Sequence, residues 1–303
     1  MSKKIKLINV FSIAILLFTS CTIGGQKYVE PNKPDKDSES AYFPSEIVMR
    51  TFTVRYPDAK NIFWHRNGDY SVADFSVYGT PKNTWFNQKG EWLLTKSSLP
   101  VREIPNKVTN AFSNNSTFAG MGINETSLLE RNNCERVYII NASKENRNIN
   151  IYYSQHGDLV RMVNNTLGNG DKPLIIPDQI KVFLPKLFAN FLIVDLWFDS
   201  LGYKVYVMDN GVFKVAALDN NYSWISTFVN LTESTVPPIV LNSFISSKYG
   251  KYHVNDFKYM ENINEISYLF YFNTENKRKV ATLNSSGSFK SVLSYDLLSN
   301  INE

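Results

Sequence analysis

The sequence predicts an α+β fold of repeated helix plus antiparallel β-sheet units, four units in two tandem domains, on three observations. An apolar residue followed by proline opens a helical pattern four times, at Phe43-Pro44, Ile104-Pro105, Ile176-Pro177 and Val236-Pro237. Three positions after each proline stands an aliphatic residue (Ile47, Val108, Ile180, Val240), and seven or eight after stands a large apolar one (Phe52, Phe112, Leu184, Phe244). Both offsets return to about the same helix face, so each helix carries one apolar stripe for a sheet.

The second observation is a set of closing hairpins. Phe86–Trp92, Tyr153–Leu159, Leu218–Trp224 and Leu283–Phe289 are each seven residues long, with apolar ends around a polar turn. Glycine holds the fifth place in three of them and Tyr222 in the other. Four aligned helix starts with four aligned hairpins read as an internal repeat. The third observation is spacing. The prolines lie 61, 72 and 60 residues apart, and the long interval contains the polar run from Asn164 to Asp171, a linker by composition. The domains are therefore expected at 42–165 and 173–298.

In chain order, residues 1–20 carry Lys3, Lys4 and Lys6, an apolar run from Leu7 to Phe18, and small residues before Cys21. That run has 12 residues, against about 20 for a membrane-spanning helix, so it reads as a secretory signal peptide. Thr19-Ser20-Cys21 supplies the small residues and the thiol that lipoprotein processing needs, so Cys21 is the expected lipidation site. Residues 21–41, rich in proline and charge through Glu30–Ser38, read as a flexible tether. A flexible chain of that length reaches about 25 Å.

In the first unit, Pro44 suits the first helical position and Pro57 ends the helix at Tyr56. Asn61 to His65 reads as a strand, Asn67-Gly68 as a tight turn, and Tyr70 to Tyr78 as the partner with Ala73, Phe75 and Val77 on one face. Gly79-Thr80-Pro81 breaks that strand, and a hairpin at Gln88-Lys89-Gly90 closes the unit. The second unit is the most polar, with a turn at Lys144–Asn148. In the third, Pro185 is expected to shorten or kink the helix. In the fourth, Gly250 follows the helix as a terminator, and Tyr268 to Phe272 is a β-prone strand.

The formal net charge of +4 falls to +1 once the three signal-peptide lysines are removed. No cluster of positive charge remains for nucleic acid, and none is expected as a partner. With Cys21 lipidated, Cys134 has no disulfide partner in the chain, so folding rests on burial.

Tyr56-Pro57-Asp58-Ala59, then Ile62 and Trp64, then Tyr70, Ala73 and Phe75, then Trp85-Phe86 and Gly90-Glu91-Trp92 resemble the PepSY-like family, also described as β-lactamase-inhibitor-like. The first unit carries most of the resemblance and the second continues it to about Val163. The third and fourth look like a divergent copy, keeping Trp197 and Tyr203 but lacking Tyr-Pro-x-Ala. The resemblance implies secreted or lipid-anchored envelope proteins, with helices on one face of an antiparallel sheet and the other faces of tandem copies side by side. The β-lactamase inhibitors that lend the name bind an enzyme with such a face.

No constellation of catalytic residues is legible. His65, His156 and His253 lack metal-ligand spacing from one another, and His-Glu-x-x-His, Cys-x-x-Cys and nucleophile-elbow motifs are absent. No metal and no cofactor is expected. Asp195 and Asp199 bracket Trp197-Phe198 and read as solvated strand or turn acids rather than a glycosidase pair. Asp209-Asn210-Gly211 reads as a hairpin turn rather than a calcium loop. Cys134 reads as a small strand-edge residue. The tryptophans, Trp64, Trp85, Trp92, Trp197 and Trp224, are assigned to packing between helix and sheet.

The candidate ligand-binding residues are Phe63, His65, Tyr70 and Tyr78, which alternation turns away from Ala73, Phe75 and Val77. The expected function is a non-catalytic, lipid-anchored envelope protein, periplasmic or surface-facing, binding a protein or peptide through its sheet faces. A glycan-binding accessory lipoprotein and a hydrolase with a site between the domains are the alternatives.

Overall fold

The computed structural model describes residues 42–164, 171–275 and 277–296. The signal peptide, Cys21, the tether and residues 165–170 of the linker lie outside them. The described chain forms two compact units, residues 42–178 with Leu192–Asp195, and residues 179–191 with 196–296.

The first unit opens with helix α1 (Glu46–Arg55), followed by strands β1 (Ala59–Asn67), β2 (Tyr70–Val77), β3 (Thr80–Phe86) and β4 (Trp92–Ser98). Helix α2 (Asn106–Ser113) then precedes β5 (Gly122–Arg131), β6 (Val137–Lys144), β7 (Arg147–Ser154) and β8 (Leu159–Asn164). The eight strands form one antiparallel sheet in chain order. The same plan follows with α3 (Asp178–Leu187), β9 (Phe191–Asp199), β10 (Gly202–Asp209), β11 (Val212–Leu218) and β12 (Trp224–Leu231), then α4 (Pro238–Ile245), β13 (Val254–Asn262), β14 (Ile266–Asn273), β15 (Lys277–Asn284) and β16 (Phe289–Asp296). These strands form a second eight-stranded antiparallel sheet, again in chain order. The helix-plus-strands unit thus occurs four times, but with two to three turns per helix the protein is mostly β.

Three helices bury both residues of the expected stripe, Val108 and Phe112, Ile180 and Leu184, Val240 and Phe244, but α1 buries Phe52 with Val48 and leaves Ile47 exposed, because its N-cap is Ser45 and not the proline, which moves the stripe one place on. In the first unit Phe52 meets Phe75 edge-on at 5.0 Å and Trp64 at 5.0 Å, an arrangement the ring quadrupoles favour. Phe112 packs among Tyr138, Ile140, Ile151 and Tyr153, and Phe244 among Phe270, Phe272 and Leu283.

The prolines sit one or two places outside the helices instead of at their first turn. Pro105 and Pro237 hold the N-cap positions with ψ near 135° (137° and 133°), extended backbone that belongs before a helix, and it is Pro238 that takes the first helical place. α3 runs through Pro185 to Leu187, so the proline neither ends nor shortens it there. β2 ends at Val77, just before Gly79-Thr80-Pro81, and the sheet continues through it. Tyr78 and Gly79 form a two-residue turn with φ of 49° and 80°, and β3 begins at Thr80. Pro81 is tolerated because β3 pairs with β4 only from Lys82 onward.

The four closing hairpins share one turn chemistry. The first residue of each turn, Asn87, Ser154, Asp219 or Asn284, accepts with its side chain from the backbone N–H groups two and four places on. The fifth place has positive φ throughout: Gly90 78°, Gly157 87°, Tyr222 65° and Gly287 83°. A Cβ on Gly157 would lie 2.5 Å from the Lys107 carbonyl oxygen of α2, so glycine there also lets turn and helix touch. Two units carry a further matching clamp. Trp92 Nε1 donates to Thr95 Oγ1 at 2.8 Å, and Trp224 Nε1 donates to Thr227 Oγ1 at 3.0 Å.

Candidate functional site

Register sorts the side chains of β1 to β4. Trp64 pairs with Ala73 and turns toward α1, so Phe63 and His65 turn away from it, level with Asp74 and Val72. Tyr70 follows Val72 onto this second face, where Val72 pairs with Trp85 and Trp85 with Leu94. Three of the four predicted residues, Phe63, His65 and Tyr70, therefore share one face beside the sheet edge formed by β1. Phe63 is 55% exposed, and its ring stacks on His65 at 6.1 Å and 28°. His65 Nδ1 lies 3.4 Å from Asp74 Oδ2, which holds the imidazole across the strand pair. Tyr70 is half-buried and packs at 5.7 Å on Trp85.

Tyr78 does not join them. It lies one residue beyond β2, in the turn, 85% exposed, and its hydroxyl donates to Asp58 Oδ2 at 2.6 Å. The Asp58 carboxylate raises its pKa through that hydrogen bond and through its charge, since both oppose a phenolate. The alternation argument fails at Tyr78 because the left-handed turn ends the strand before it.

Beyond the β1 rim the helix-free face is closed. Val72, Trp85, Leu94, Leu129, Ile139 and Tyr152 are all buried there. Trp85 accordingly packs on the face away from α1, not between helix and sheet. β1 itself is bulged between Lys60 and Phe63, with Asn61 at φ 55°. A bulge on an outer strand interrupts the row of free backbone groups that another strand would pair with.

The acids expected to be solvated are buried ion pairs. Asp195 receives Arg161 Nε at 2.8 Å, with Arg131 Nη1 at 3.4 Å. Asp171, at the linker's end, accepts from Tyr152 at 2.8 Å and pairs with Lys96 at 3.0 Å. Burial drives the Tyr152 phenol pKa up, and the Asp171 charge adds to it. Asp199 pairs with Lys204 at 3.0 Å and accepts from the Leu201 N–H. Each carboxylate is neutralised by its cation; the partners of Asp195 and Asp171 come from strands distant in sequence, whereas Lys204 stands only five places after Asp199. Asp209-Asn210-Gly211 forms the β10–β11 turn, with Asp209 paired to Lys214 at 2.8 Å. Cys134 lies in the β5–β6 connection, and burial pushes its thiol up to about 11. His156 is exposed in its turn, and among the described residues no group of three or more His, Cys, Asp or Glu side chains could hold a metal.

Fold and surface together define a mostly β, two-domain protein of two eight-stranded antiparallel sheets, with an aromatic rim and neutralised buried acids. The family described as "Putative beta-lactamase-inhibitor-like, PepSY-like" matches residues 69–161 and 201–281, more than half of the chain, and the chain belongs to it. Among solved structures it is similar to a BLIP-like protein from Bacteroides fragilis, at 26% identity over 45% of this chain and 97% of that one, with TM-score 0.40. It is also similar to a DUF2874 family protein from Bacteroides ovatus, at 26% identity over 41% and 89%, TM-score 0.39. A third similar chain, described as a "putative periplasmic" protein from Bacteroides eggerthii, is 24% identical over 41% and 90%, TM-score 0.39. No curated protein matches the chain.

Proposed function

We propose that the protein is a non-catalytic component of the cell envelope, anchored through a lipidated Cys21, that binds a protein or peptide partner at the β1 rim. The observation that carries the reading is the stacked, half-exposed Phe63–His65 pair beside Tyr70. Rigid aromatic side chains at the border of a closed face supply binding area at little cost in conformational entropy. Membership of a β-lactamase-inhibitor-like family supports a binding role. The bulge in β1 favours docking on the face over strand addition at the edge.

The test is affinity capture from detergent-solubilised envelope, comparing the parent with a Phe63→Ala, Tyr70→Ala variant and with Tyr78→Ala. A partner retained by Tyr78→Ala and lost by the folded double variant supports the rim. Equal capture by all three proteins sinks it. The anchor is tested separately: Cys21→Ser should release the protein from the membrane fraction.

A further inference from the structure

The fourth unit holds an open pocket of about 410 Å³ between the turn after α4 and the outer strand β16, walled by Tyr249, Phe289, Lys248, Lys290 and Val292. Its origin is visible by comparison with the first unit. Tyr249 stands 12 residues after Pro237, as Tyr56 does after Pro44, and Phe289 closes its hairpin as Trp92 does. In the first unit this space is plugged: the Arg55 guanidinium lies 3.5 Å from the Trp92 ring centroid, and the Tyr56 hydroxyl is hydrogen-bonded to Thr95. In the fourth, lysine replaces the arginine, phenylalanine the tryptophan and Val292 the threonine. Lysine and phenylalanine are smaller than the arginine and tryptophan they replace, and Val292 has no hydroxyl to hold Tyr249 as Thr95 holds Tyr56, so the space stays open.

What surrounds the opening is cationic. Lys248 Nζ lies 5.2 Å from the Tyr249 ring and Lys279 Nζ 5.8 Å from it, while Lys251 Nζ lies 5.2 Å from the neighbouring Tyr252 ring. None of these three ammonium groups has a carboxylate within ion-pair distance among the described residues, and only Lys290 is paired, with Glu265. The Tyr249 and Phe289 rings stand 6.0 Å apart at 45°, a wedge and not the flat platform that a sugar ring stacks on. β16 pairs with β15 alone, so its other edge bears no strand among the described residues.

We propose that this pocket binds an acidic, extended segment of a partner polypeptide, laid along the edge of β16 with an apolar side chain packed against the Tyr249 and Phe289 rings and carboxylates on Lys248 and Lys279. Backbone hydrogen bonds at a strand edge give such a complex its affinity, and the pocket with its lysines gives it selectivity for sequence. The site is independent of the β1 rim.

The experiment is fluorescence anisotropy on the full-length protein in detergent, with dye-labelled Glu-Glu-Phe-Glu-Glu and its Gln-Gln-Phe-Gln-Gln counterpart. The acidic peptide should bind at least about tenfold more tightly, and Lys248→Gln with Lys279→Gln should remove about that factor. Lys248→Arg with Phe289→Trp rebuilds the first unit's plug at unchanged charge and should abolish binding. Equal affinity for both peptides, or full binding by the plugged variant, overturns the proposal. So does no binding to the parent, or binding only of an oligogalacturonate run in parallel, which would make the occupant an acidic glycan.

Discussion

Arg161 and Asp195, 34 residues apart in sequence, meet at 2.8 Å with almost no solvent on either side chain. Arg131 shares the same carboxylate, and two of its guanidinium nitrogens, Nε and Nη1, have no hydrogen-bond partner among the described residues. Removing the carboxylate takes the Asp195 ion pair from both buried cations and, among the described residues, leaves Arg161 only the longer contact with Asp171, at 3.9 Å. Asp195→Ala is expected to destabilise the protein by about 3–5 kcal/mol, read from urea denaturation. A cost below about 1 kcal/mol would show that the network contributes nothing.

Glycine substitutions should sort by contact as well as by φ. Gly68 at φ 59° has nothing within 4 Å of where a Cβ would stand, so Gly68→Ala should cost about 1 kcal/mol from the left-handed backbone alone. Gly157→Ala must in addition push the turn off the Lys107 carbonyl, and its cost should exceed that of Gly68→Ala by about 1–3 kcal/mol. Thermal denaturation of the two variants side by side decides it, and equal losses would contradict the contact argument.

The Trp92 and Trp224 clamps predict matched losses. Trp92→Phe and Trp224→Phe each remove one indole-to-threonine hydrogen bond, and each should cost about 1 kcal/mol. Parallel chemical denaturation, with Thr95→Val and Thr227→Val completing the double-mutant cycles, reports the coupling of each pair. Coupling in one pair and none in the other would break the equivalence of the units.

The repeat was legible in the sequence because its signals are local. A stripe within a helix, or an Asn, Ser or Asp three places before a positive-φ residue, needs no knowledge of distant chain. The face of Phe63, His65 and Tyr70 followed from alternation alone, and failed one residue past the strand, at Tyr78. The burial of Asp195 was not legible, since its cations arrive from strands distant in sequence; Asp199 and Asp209 pair with lysines five places on across a hairpin, a spacing the sequence does show. The sheet register also put the Trp85 side chain on the opposite face from Trp64 and Trp92. The pocket at Tyr249 could have been found by aligning Arg55 with Lys248 and Trp92 with Phe289 once the units were superimposed.

The raised pKa of Cys134 has a kinetic readout. Burial favours the neutral thiol, so at pH 8 the reactive thiolate is about a hundredfold scarcer at pKa about 11 than at the ordinary 9. In a Cys21→Ser background, labelling by a thiol-reactive dye should be slower by about that factor than in denaturant. The linkage has a sign: the folded state holds its proton longer, so this group's contribution to stability is complete below pH 9 and is lost as pH rises toward 11. Labelling as fast folded as unfolded would contradict the burial of the thiol.

In both sheets every strand pairs only with the strands just before and after it in the chain. Most of these pairings close through tight turns, and the longest reach, β4 to β5, spans only the segment that includes α2. Loop-closure entropy stays small at each step, and low contact order goes with rapid folding. A polypeptide threaded N-terminus first into a new compartment could therefore zip each sheet strand by strand, with no early strand waiting for a distant mate still to arrive.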